Sequence, residues 1–203
     1  SVAGVGFDIA CGNAAIRTNL KRSDLDLPRV ADEIAEEISF GIGRKNTSDD
    51  APVDAALFNS EAWEIVPPEH REKLLDKARS QLGTVGGGNH YVDVFSDIAG
   101  RIWVGVHFGS RGLGHTIASS FMSLASGGEW GERVKENETL LSLDSERGKD
   151  YWTLMNLAGA YAYEGREWVA RKVVSILGGE EQELVHNHHN FAWKETHFGE
   201  ELV

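Results

Sequence analysis

Apolar residues recur at every fourth position between Arg29 and Phe40, at Val30, Ile34 and Ile38, which is the spacing of one helix face. Pro28 suits a first helical turn, and Gly41 and Gly43 end the pattern, so a helix is predicted over 29–40. Leu74, Leu75, Ala78 and Leu82 predict a second helix after Pro67 and Pro68, closed by Gly83. A third opens at Gly109–Gly114 and runs to about Leu124. A long fourth, read as capped by Asp150, carries Trp152, Met155, Ala158, Tyr161, Ala162, Trp168 and Val169 and ends at Gly178 and Gly179. Tyr91–Phe95 and Arg101–Phe108 predict two strands joined around Ala99 and Gly100, the second apolar enough to be buried. Val5–Thr18 reads as strand, tight turn, strand, with Asp8 and Cys11 near the turn. Arg44–Pro52 reads as an exposed loop, and Ser126–Lys149 as a polar surface excursion. Strands alternating with helices give a mixed α/β or α+β fold, and periodicity does not choose between them.

The 203 residues, 41% hydrophobic, suffice for a sizeable core and predict one domain over 1–203. No apolar run is long enough to span a bilayer, and the first residues lack the basic flank and apolar stretch of a signal peptide, so a cytoplasmic location without a membrane partner is expected. The single cysteine, Cys11, cannot form an internal disulfide, which fits a reducing compartment and directs attention to thiolate chemistry. A formal net charge of −12 repels nucleic acid as a whole, so any RNA contact must come from a local basic surface.

Several side chains suit metal or phosphate binding. Asp8 and Cys11 form a D-x-x-C pair that a tight turn could aim at one cation, and a thiolate can bridge two; a turn cap and a small buried filler are the plainer reading. Gly86, Gly87 and Gly88 can present successive N–H groups to an anion, with Asn89 as a further donor and His90 as a metal ligand. His107 ends an apolar strand just before Gly109–Gly112, where Arg111 can fork onto phosphate or carboxylate. His115 reads as an exposed residue of the following helix. His186, His188, His189 and His197 are dense enough to suggest ligation, with Asn190 beside them. On an extended segment His186 and His188 share one face and His189 takes the other, which nominates alternatives without choosing.

Taken in order, VGFDIACGN, LGTVGGGNHYVDV, VGVHFGSRGLG, MNLAGAYAYEGREWVARKV and HHNFAWKETHFGEELV resemble successive motifs of the RtcB-type RNA ligases over nearly the whole chain. The resemblance implies an α+β fold with a central sheet flanked by helices, and a GTP- and manganese-dependent ligase joining RNA 3′-phosphate or 2′,3′-cyclic phosphate ends to 5′-hydroxyl ends, as in tRNA splicing or RNA repair. It implies two Mn2+ ions, with Asp8 and His90 at one, His107 and His189 at the other, and Cys11 bridging both; thiolate and imidazole would otherwise favour zinc, so Zn2+ in a purified sample is compatible. It further implies nucleotide contacts from Asn89, Tyr91, Asp93 and Asn190, phosphate or RNA positioning by Arg111, and an activating protein partner. Asp93 stands where the family pattern has glutamate, one methylene longer, and Tyr163-Glu164-Gly165-Arg166 replaces an Asn-Arg ending. The family's guanylylated histidine and its basic glycine-rich motifs are expected beyond the equivalent of Val203, and a further segment before Ser1. The chain therefore reads as a partial one, expected not to ligate alone. Two further readings are a metal- and nucleotide-binding module without catalysis of its own and a dimetal phosphoesterase.

Overall fold

A computed structural model describes residues 1–132 and 138–203. Strands β1 (Gly12–Lys21), β2 (Tyr91–Ser96), β3 (Arg101–Phe108) and β4 (Glu181–His188) form one sheet in the order β2-β3-β1-β4, every neighbouring pair antiparallel. Around it stand α1 (Val2–Val5), α2 (Leu27–Glu37), α3 (Pro68–Gln81), α4 (Arg111–Ala125) and the 32-residue α5 (Glu146–Leu177). A separate hairpin, β5 (Glu195–His197) and β6 (Glu200–Leu202), follows. The fold is α+β, as the resemblance implies. Among the described residues no helix is long and apolar enough to cross a membrane.

Side-chain alternation gives the sheet two unlike faces. Ala14, Ile16, Ile102, Val104, Val106 and Phe108 turn to one side, where they pack with Val169, Ala170, Val173 and Val174 of α5 and with Val30 of α2. The N-terminal half of α5 buries Tyr151, Leu154, Met155, Ala158 and Tyr161 in a second cluster against α3 and α4. One long helix thus spans both clusters. The other side of the sheet carries Asn13, Tyr91, Asp93, Phe95, His107, Val185 and Asn187, and here Tyr91, Phe95 and Val185 remain 40%, 46% and 49% exposed.

Four expectations change. Residues before Cys11 form no strand: Val2–Val5 is one helical turn capped by Ser1, and positive φ at Gly6 (83°) and Ala10 (59°) turns the chain out of any ladder, so pairing starts at Gly12 and runs on to Lys21. α2 stops at Glu37; Ile38 stays buried but extended, because the next residues leave to form a parallel bridge between Phe40 and Gly86. α5 begins before Asp150, since the Ser145 side chain accepts from the Gly148 N–H and Glu146 lies at the positive helix end. The 126–149 stretch is only in part a surface excursion: Trp130 is buried edge-on to Phe121 at 5.8 Å, and 133–137 lie outside the described residues.

Candidate metal centre

The turn between α1 and β1 is tied to the end of β4 through the main chain. Cys11 O accepts from His189 N (2.8 Å) and Asn190 N (3.3 Å), and Ala10 N donates to Asn190 O (2.7 Å). Across β1 the register sets Asn13 opposite His107, and across β3 it sets His107 opposite Tyr91, the residue after His90. Ordinary antiparallel pairing therefore collects side chains from four distant stretches at one end of the sheet. Cys11 Sγ lies 3.5 Å from His107 Nε2 and 3.6 Å from His90 Nε2, while His90 Nε2 is 2.9 Å from Asp8 Oδ2. Two groups of donors result, Asp8–Cys11–His90 and Cys11–His107–His189, with the ligand atoms of each within 4.8 Å of one another. The sulfur is common to both.

Burial and the neighbouring Asp8 carboxylate push the Cys11 thiol up to about 12. Burial alone would raise Asp8, but hydrogen bonds from His90 and Cys11 and the charges of His90 and Arg111 hold it below the usual carboxylate range. Burial, then the adjacent His189 and His90, lowers His107 toward the neutral imidazole. A compact set of one carboxylate, one thiol and three imidazoles fits divalent cations, which would displace the thiol proton.

Supporting side chains orient this set. His107 Nδ1 lies 2.9 Å from Asn13 Oδ1, which fixes its ring and leaves Nε2 toward the sulfur. His107 is stacked between Tyr91 (5.4 Å) and His189 (5.2 Å). Asn89 Nδ2 is 3.5 Å from His107 Nε2. Arg111, itself at φ 55°, reaches Thr84 Oγ1 (3.3 Å) and His90 Nδ1 (3.3 Å). Glycine is required at two places: a Cβ on Gly86 would strike the Arg111 guanidinium, and one on Gly109 the Asp8 carboxylate. At the N-terminus of α4, where a free N–H could meet an anion, Gly112 N already donates to Gln81 Oε1 at 3.0 Å.

All five predicted ligands are brought together, with Asn89, Tyr91 and Arg111 touching them. Asp93 lies two residues along β2 from Tyr91 on the same exposed face. Asn190 meets the centre through its main chain. Of the clustered histidines, His189 alone reaches the sulfur. His186 and His188 turn to the opposite side, against Arg166 and Tyr163, and His197 is exposed beside Glu195. His115 stacks on Phe7 at 5.1 Å and lines a cavity of about 560 Å³ that also borders Asp8, Lys77, Asn89, His90 and Arg111. Sequence reasoning missed Asn13 and left Arg166 without a role. The available signal for Arg166 was a lone arginine in the apolar stripe of Ala158, Ala162, Val169 and Val173.

A sequence model of the family described as tRNA-splicing ligase RtcB matches residues 1–203. The chain belongs to the RtcB family. The chain is 31% identical over 229 residues to the RNA-splicing ligase RtcB of Escherichia coli K12, covering 98% of this chain and 55% of that protein. It is 30% identical over 211 residues to RNA-splicing ligase RtcB homolog 1 of Entamoeba dispar, covering 84% of this chain and 39% of that one. The tRNA-splicing ligase RtcB of Archaeoglobus fulgidus is 26% identical over 249 residues, covering 97% of this chain and 52% of its own length. This RtcB-family chain thus spans about half the length of the curated E. coli and A. fulgidus relatives.

Proposed function

We propose that this chain carries the dimetal centre and part of the nucleotide site of an RNA ligase that uses GTP and Mn2+ to join a 3′-phosphate end to a 5′-hydroxyl end. The observation that carries the proposal is the single buried sulfur shared by two donor groups. Asp8, Cys11 and His90 would hold one cation, and Cys11, His107 and His189 the other. Bound there, the cations supply positive charge against phosphate oxygens. The names of the relatives support RNA as the substrate.

The chain's own residues bind and orient. Arg111, fixed by Thr84 and His90, faces the cavity shared with Lys77, so a phosphate beside the centre would meet two cationic side chains. Asn89, Tyr91, Asp93 and Asn190 are the proposed nucleotide contacts, three of them on or just before strand β2. Cys11, as a thiolate, and Asp8 provide the anionic donors that the imidazoles lack. None of the eight histidines is proposed as the guanylylated residue.

Calorimetric titration with Mn(II), then with GTP in its presence, tests this reading. Two equivalents of Mn(II) and metal-dependent GTP binding are expected, without covalent GMP on this chain. GTP binding indifferent to metal would sink the proposed site. Covalent labelling would overturn the assignment of the histidines.

A further inference from the structure

Arg166 is fully buried near the middle of α5, and each of its three guanidinium nitrogens has a polar partner. Nη1 donates to Ala10 O (2.8 Å) and Phe108 O (2.6 Å). Nη2 donates to Asn187 O (3.5 Å) and faces His188 Nδ1 (2.8 Å), and Nε donates to His186 Nε2 (2.9 Å). None of these partners is a carboxylate. The three carbonyls stand in the three backbone stretches that bear the sulfur and two of the imidazoles: Ala10 precedes Cys11, Phe108 follows His107, and Asn187 lies two residues before His189. Ala10 is moreover in the left-handed region at φ 59°, a conformation unfavourable for a residue with a Cβ, and its carbonyl accepts from the guanidinium.

We propose that Arg166 is a positioning residue for the metal centre, setting the separation of the Cys11, His107 and His189 backbones from the side of the sheet opposite the ligands. The inference rests on the metal-centre reading above and goes beyond it. A guanidinium is the side chain suited to the task, because its planar fork can hold several carbonyls at fixed angles whereas an ammonium is a point charge. Sheet pairing alone fixes β1 against β3 and β4, but Cys11 lies in the turn before β1, outside that ladder. Main-chain bonds join that turn pairwise to His189 and Asn190 and, through Ile9 O, to Ser110; Arg166 adds a side chain that grips all three stretches at once.

The test is absorption titration of the full 203-residue chain with Co(II) alone, for wild type, Arg166→Met, Arg166→Lys and His186→Gln. Wild type is expected to develop thiolate-to-cobalt charge-transfer absorption. Arg166→Met and Arg166→Lys should bind Co(II) about 10- to 100-fold more weakly with a diminished sulfur band, the range typical of lost partners behind metal ligands. His186→Gln, which leaves the carbonyl fork intact, should match wild type. Far-UV circular dichroism establishes folding. If Arg166→Met fails to fold, Arg166→Lys, which keeps charge and most of the volume, decides. Wild-type affinity and spectrum in a folded Arg166 variant would overturn the inference, as would equal losses in His186→Gln. A wild-type chain without the sulfur band would instead overturn the metal-centre reading beneath it.

Discussion

The two faces of the sheet are built from the same strands and behave oppositely. On the covered face, Ile16, Ile102, Val104 and Val106 are sealed by α5, and the polar groups present, Arg166, His186 and His188, are bonded to one another and to the main chain. On the open face, Tyr91, Phe95 and Val185 keep much of their surface exposed, and the donor cluster gathers at its end. One side fixes backbone positions; the other presents chemistry. Adjacent residues divide between them, His188 to the buried network and His189 to the sulfur.

The largest contrast should appear in stability. Ile16→Ala, a cavity on the covered face, is expected to cost about 2–5 kcal/mol in urea unfolding, whereas Val185→Ala on the open face should stay within about 0.5 kcal/mol. Similar losses at both positions would erase the distinction. Acid should act next, through the covered face. Burial, reinforced by Arg166, lowers His186 to about 3 and His188 to about 4, so between their ordinary value near 6.5 and those values the unfolded chain binds protons that the folded chain refuses. Their contribution is therefore whole above about pH 6.5 and lost as pH falls toward 4. Denaturant midpoints across that window should decline less steeply in His186→Gln than in wild type; identical slopes would contradict the buried, neutral imidazole. The smallest effect belongs to the open face. Tyr91→Ala should leave the melting temperature nearly unchanged yet weaken metal-dependent GTP binding about two- to tenfold, the scale of one aromatic stacking contact. A large loss of stability with unchanged GTP affinity would make Tyr91 a packing residue.

Much of this arrangement was legible along the chain, and the reason is local. The β2–β3 hairpin follows from two short apolar runs around a glycine, and its register places His90 and His107 together without distant information. The period of two separates His189 from His186 and His188, and the family resemblance, not the period, singles out His189. The turn at Asp8–Cys11 lies where the sequence puts it, but the strand expected before it is absent, because small and β-favouring residues conceal positive φ at Gly6 and at Ala10, whose main chain is bonded to the distant Asn190 and Arg166. Arg166 and Asn13 escaped for a related cause: each acts on residues about 20 to 160 positions away, which no periodic pattern reveals. Ser145 was passed over as a cap in favour of Asp150, since nothing local distinguishes two good capping residues five positions apart.

Elemental analysis of metal-loaded protein, comparing wild type with Cys11→Ala, decides whether one sulfur joins two cation sites. Two equivalents per chain are expected in wild type, with loss extending to both sites in the variant, because each donor group keeps only two protein ligands without the thiolate. Two equivalents bound with undiminished affinity by folded Cys11→Ala protein would contradict a shared sulfur.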